Sequence, residues 1–162
     1  MNIFYLHSDA RSCAQMHCDK HVVKMILETT QLLCTAHRVC DGNKYCDENH
    51  LYKKTHFNHP SAVWVRKSKD NYRWLHELLF FLLTEYQLRY KKIHKCSNLY
   101  HVLRKVPTNI NNDSFTEPPQ CMPDTHKHVD TVIAYRNYYN ADKATFAKWG
   151  YSKTPTWFKG EM

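Results

Sequence analysis

Glycine is nearly missing, with three in 162 residues. Tight hairpin turns need residues that tolerate positive φ, so a chain this poor in glycine, with runs such as HELLFFLLTEYQLRYKK, is not organised as a stack of hairpins. The expected class is all-α. No stretch reaches the roughly 20 apolar residues that a membrane span requires. The start MNIFYLHSDAR lacks the charged segment followed by an apolar block that marks an export signal. A soluble, intracellular protein without membrane contact is therefore expected. The seven cysteines are odd in number and contain no C-x-x-C pair, which points to reduced thiols rather than a disulfide framework. Acids are in deficit, 15 against 23 lysines and arginines, leaving a formal charge of +8 with all 12 histidines neutral. A polyanionic partner follows, with nucleic acid first among the classes.

What is present fits one domain spanning residues 1–162, since this length with 43% hydrophobic residues supplies a single core. MNIFYL reads as a short extended arm. Asp9 or Ser12 is placed to cap a first helix that the periodicity carries to about Val39. Residues 40–58 are polar and turn-rich and read as a loop. Pro60 suits the first turn of a second helix, 60–92, whose Trp64, Tyr72, Leu75, Leu79, Leu82 and Tyr86 recur at three- and four-residue steps. The prolines and asparagines of 93–128 exclude a long helix there, apart from a turn or two near 97–104. A third helix is expected over 129–148, followed by the aromatic, basic tail TPTWFKGEM.

Residues 17–28, HCDKHVVKMILE, carry the chemistry. At 3.6 residues per turn His17, His21, Lys24 and Glu28 share one stripe, while Val22, Val23, Ile26 and Leu33 point the other way. Such a stripe is either a solvated face, with Lys24 and Glu28 an ordinary i,i+4 pair, or the wall of a site. A second set of polar groups lies in the loop. Cys40, Cys46, His50 and His56 offer two thiols and two imidazoles, a donor set that tetrahedral zinc accepts, at a spacing without the usual short knuckle. Unbound loop residues are the default there, and no cofactor is called for. His59, Arg66 and Lys67 sit on the second helix's first turns, where exposed amides and the helix dipole attract phosphate.

The ordered set DKHVVKMILE, HPSAVWVRKSKDNYRWL and PTWFK resembles the pyrimidine dimer DNA glycosylases typified by phage T4 endonuclease V. The resemblance implies a compact fold of three main helices with long connecting loops, in a divergent viral-type protein working in the cytoplasm or nucleus of a host cell. It implies an enzyme of DNA repair that acts as a monomer on double-stranded DNA with a flipped nucleotide. Such an enzyme cleaves the glycosidic bond of a damaged or modified pyrimidine and then nicks the backbone as an abasic-site lyase. Asp19, His21 and Glu28 match the family's first-helix pattern, with Glu28 the catalytic acid, and Trp157, Phe158 and Lys159 match its tail. Where the family uses a threonine amine exposed by loss of the initiator Met, this chain has Asn2, a bulky residue expected to leave Met1 in place. The arginine that the family sets before its acid is replaced by Leu27.

Such chemistry needs a neutral amine to attack the sugar and a carboxylate to steady the developing cation. An α-amine, with an ordinary pKa of about 7.7–8.0, suits it. The terminal amine of Met1 is the first choice and Lys24 the alternative. His17, Lys20 and His21 would meet phosphates around the extruded nucleotide, and Trp157 and Phe158 would wedge or stack where the duplex opens. A non-catalytic basic nucleic-acid binder and a zinc-containing nucleic-acid enzyme stand as the alternatives.

Overall fold

Asp9 starts the first helix. In the computed structural model, which describes residues 1–160, its carboxylate accepts the Ser12 amide at 2.8 Å, satisfying one orphan donor of a helix start. Helix α1 runs over Ala10–Met16. The periodicity predicts continuation to about Val39, but the chain leaves helical geometry at His17 and Cys18 and restarts as α2, Asp19–Asp41. Neither residue is a helix breaker. Their freed backbone groups are taken by distant side chains: the Arg89 guanidinium donates to the carbonyls of Gln15 (3.0 Å) and His17 (2.8 Å). The Cys18 amide donates to the Tyr139 hydroxyl at 3.3 Å. Buried helix ends need such partners, and here they hold a break that no local signal announces.

The 40–58 segment is not loop throughout, because α3, Lys44–Glu48, lies within it. Arg38 organises this stretch, reaching Asp47 Oδ1 at 2.9 Å and the carbonyls of Tyr52 and Leu51 at 2.7 and 2.8 Å. The predicted second helix is also two. Helix α4, Pro60–Lys67, stops at Ser68, whose backbone is extended, and α5 covers Lys69–Tyr90. The Ser68 hydroxyl accepts the Asn71 amide at 3.2 Å, while Asn71 Nδ2 donates back to the Trp64 carbonyl at 3.0 Å. Beyond α5 a 3₁₀ turn, Lys95–Leu99, leads into the single turn of α6, Tyr100–Leu103, where the sequence allows a turn or two. Helix α7, Thr131–Tyr138, is capped by Asp130 and prolonged by a π-helical turn, Tyr139–Lys143. It is shorter than the 129–148 expected.

Among the described residues every regular element is helical, and they share one core. Helix α5 packs on α1, α2 and α4, and α2 also meets α4. Val22, Met25, Ile26, Leu32 and Leu33 of α2 and Leu75, Leu78, Leu79 and Leu82 of α5 are buried, each full burial contributing about 1.5–3 kcal/mol. Val23 differs from the expectation, lying on the solvent side at 37% exposure. No described helix is long and apolar enough to cross a membrane.

Residues 3–6 of the arm are all buried. Phe4 adopts φ +50°, uncommon for a residue with a side chain, and its ring lies 4.4 Å from that of His21. This buried arm brings residues 1 and 2 to the middle of α2.

Candidate functional site at the chain start and helix α2

The two oxygens of Glu28 face different groups. Oε2 accepts the Asn2 amide at 3.1 Å and lies 4.0 Å from the Met1 α-amino nitrogen. Oε1 lies 3.6 Å from Lys24 Nζ. The Lys24 side chain is 66% exposed, whereas those of Glu28 and Met1 are 16% and 4% exposed, the Met1 side chain packing against the core and anchoring the chain start. A carboxylate with one oxygen turned to an α-amine can hold that amine in place and exchange a proton with it. Lys24 occupies the solvent side. Three of the residues singled out from the sequence, Met1, Lys24 and Glu28, are thus brought together.

His59 caps α4, its Nδ1 accepting the Ser61 amide at 3.1 Å. That bond fixes the neutral ring with its hydrogen on Nε2. Burial lowers its pKa from the ordinary value, the Met1 amine and His56 add to that, and Glu28 opposes it. His59 therefore sits within electrostatic reach of the same cluster. Lys20, Lys67 and Lys159 are exposed, with Lys20 Nζ 5.5 Å from the Phe146 ring centre. Arg66 bends back onto its own helix region, donating to the carbonyls of Phe57 (2.7 Å) and Ala62 (3.1 Å).

Other expected positions are corrected. His17 precedes α2 rather than lining it and is fully buried, its Nδ1 donating to the Cys13 carbonyl at 2.7 Å while Nε2 has no partner. His21, 4% exposed, bonds through Nδ1 to the Tyr139 hydroxyl at 2.6 Å. Neither meets a phosphate from inside the core. Trp157 and Phe158 do not project as wedges: Trp157 Nε1 donates to Met16 Sδ at 3.4 Å with Arg136 over its ring, and Phe158 packs on Trp149 at 4.7 Å. The zinc set is not assembled either. Cys46 points into the core while His50 and His56 are exposed, and no group of three or more potential metal-binding side chains converges among the described residues. Asp19 is structural, taking Arg89 NH1 at 3.0 Å and the Gly150 amide at 2.7 Å.

The side-chain partners of Asn2, next to Met1, are not found by sequence reasoning. They include Tyr135, 133 positions away, and no local pattern marks a contact at that separation. No protein-family model, curated protein or solved structure matches this chain.

The buried histidines give a stability prediction. Burial pushes His17 down to about 4 and His21 down to about 3, so both are neutral when folded and titrate near 6.5 when unfolded. Below pH 6.5 the unfolded chain takes up protons that the folded chain refuses. Stability is therefore full above that pH and is lost progressively as pH falls toward 4. Urea unfolding at pH 7 and pH 5 should differ by about 3–4 kcal/mol, and a flat profile over that interval would show that the rings are charged in the fold.

Proposed function

We propose that this chain is a DNA glycosylase and abasic-site lyase of the pyrimidine dimer glycosylase type, acting on a damaged or modified pyrimidine flipped from duplex DNA. The observation that carries it is the α-amine of Met1, held 4.0 Å from the carboxylate of Glu28 by a chain start whose side chain packs against the core. The resemblance on DKHVVKMILE and the +8 charge add support.

The neutral amine of Met1 attacks the sugar C1′, the glycosidic bond breaks, and its electron pair leaves with the base, which takes a proton. The ring oxygen then departs from C1′, taking the proton that the attacking nitrogen gives up through Glu28, to leave a protonated imine between Met1 nitrogen and the open sugar. Loss of a proton from C2′ expels the 3′-phosphate and nicks the strand. Glu28 steadies the cationic carbon during attack and moves protons during elimination. Lys20, Lys67 and Lys159 hold phosphates by charge alone, giving affinity without sequence reading.

Borohydride reduces an imine to a stable amine, so protein and abasic-site DNA should become covalently joined. Digestion and mass spectrometry should place the adduct on Met1. Acetylating the terminal amine should abolish trapping, whereas Lys24→Arg should leave it largely intact, since arginine keeps the charge but cannot attack. An adduct on Lys24 would reverse the assignment of the nucleophile. Absence of any adduct on folded, DNA-binding protein would overturn the enzyme proposal.

A further inference from the structure

The side chain of Asn2 links the chain start to two remote segments. Its Nδ2 donates to the Cys121 carbonyl at 2.9 Å. Its Oδ1 accepts from the Ile3 amide and from the Tyr135 hydroxyl, both at 2.8 Å. The backbone amide of the same residue is the group that meets Glu28. The orientation of the carboxamide is determined by these partners, because a carbonyl can only accept and an amide can only donate. Tyr135 is itself buried in α7, and its single hydroxyl hydrogen is shared between Asn2 Oδ1 and the Pro119 carbonyl, 2.6 Å away.

We infer that Asn2 is a positioning residue, one that fixes the Met1 amine against Glu28 by clamping the chain start to α7 and to residues 119–121. The inference rests on the proposed amine chemistry and adds the device that aims the amine. An unclamped chain start would be free to fray, as termini do, and a flexible amine loses the near-attack geometry on which its rate depends. The clamp needs a donor and an acceptor on separate atoms of one short side chain, and asparagine supplies both. A single hydroxyl at this position lacks the second heavy atom. Aspartate keeps Oδ1 but turns a second oxygen toward the Cys121 carbonyl, where two acceptors repel. The irregular 93–128 segment thereby gains a role, since its backbone at Cys121 holds half of the clamp.

The test compares the full-length parent with Asn2→Asp and Tyr135→Phe, with intact mass confirming that Met1 is retained in each. Single-turnover borohydride trapping is followed on abasic duplex DNA at saturating DNA, beside DNA affinity and thermal unfolding. Asn2→Asp should trap about 100-fold more slowly at saturation while still binding the duplex. Tyr135→Phe, which removes one of the bonds to Asn2, should trap about 10-fold more slowly. A merely structural residue would instead lower the melting temperature and leave the saturated rate of the folded fraction unchanged. Parental trapping rates in either folded variant would overturn the inference and leave the enzyme proposal standing. Failure of the parent to trap would overturn the enzyme proposal, and the aiming role of Asn2 with it.

Discussion

Glu28→Gln is expected to lower imine formation and strand nicking by about 10²–10⁴-fold while leaving duplex binding nearly unchanged. Glutamine has the same shape, and its carbonyl oxygen can still accept the Asn2 amide that Glu28 Oε2 accepts at 3.1 Å. What disappears is the charge that draws the Met1 amine at 4.0 Å and the Lys24 ammonium at 3.6 Å, together with the capacity to take a proton. Stabilisation of a developing cation is therefore lost in the transition state and not in the ground-state complex, so the saturated rate falls rather than the affinity. Folding should be little affected, because a pair with one exposed partner is worth about 0–1 kcal/mol. Single-turnover nicking of a lesion-bearing duplex, with binding measured in parallel, checks this. Parental turnover in the variant would reduce the stripe on α2 to a solvated face.

Arg89→Ala is expected to cost about 3–5 kcal/mol of folding stability. The Arg89 side chain is 1% exposed and serves two acids and two carbonyls: Glu85 Oε2 at 2.9 Å, Asp19 Oδ1 at 3.0 Å, and the backbone of Gln15 and His17. Truncation leaves a buried carboxylate pair without its cation and two helix-end carbonyls without donors. Set against a typical total of about 5–15 kcal/mol, that loss removes a large share of the stability of the fold. Arg89→Lys should recover less than half of it, since one ammonium cannot span four acceptors in a planar fork. Urea midpoints for the three proteins at pH 7 decide the matter. A loss below about 1 kcal/mol would mean that water reaches the junction between α1 and α2.

Much of the helical content could be read from local pattern. Asp9 and Pro60 mark helix starts that the structure contains, and Leu75, Leu79 and Leu82 of α5 face the core as their spacing predicts. The polar 93–128 stretch is irregular apart from short helical turns, as its prolines require. The interruptions are a different matter. Ser68 followed by Asp70 is a helix-start signal, yet it lies inside an unbroken apolar period that masks it. His17 and Cys18 carry no such signal, and their break exists because Arg89 and Tyr139 receive the backbone groups it frees.

The candidate site divides in the same way. The i,i+4 spacing of Lys24 and Glu28 put them together on α2 from the sequence alone, because helical geometry fixes that distance. The same geometry placed His17 and His21 beside them, and there it failed: His17 lies outside α2, Phe4 lies against both rings, and Tyr139 lies against His21. Composition and periodicity determined an all-helical, basic protein with an acid and a lysine sharing one helix face. Only the tertiary structure decided which ionisable groups stay in water, and that the α-amine of Met1 joins Lys24 at Glu28. Exposure and the approach of the chain start depend on contacts more than 100 residues apart, such as Asn2 with Cys121 and Tyr135, and no local period encodes a separation of that length.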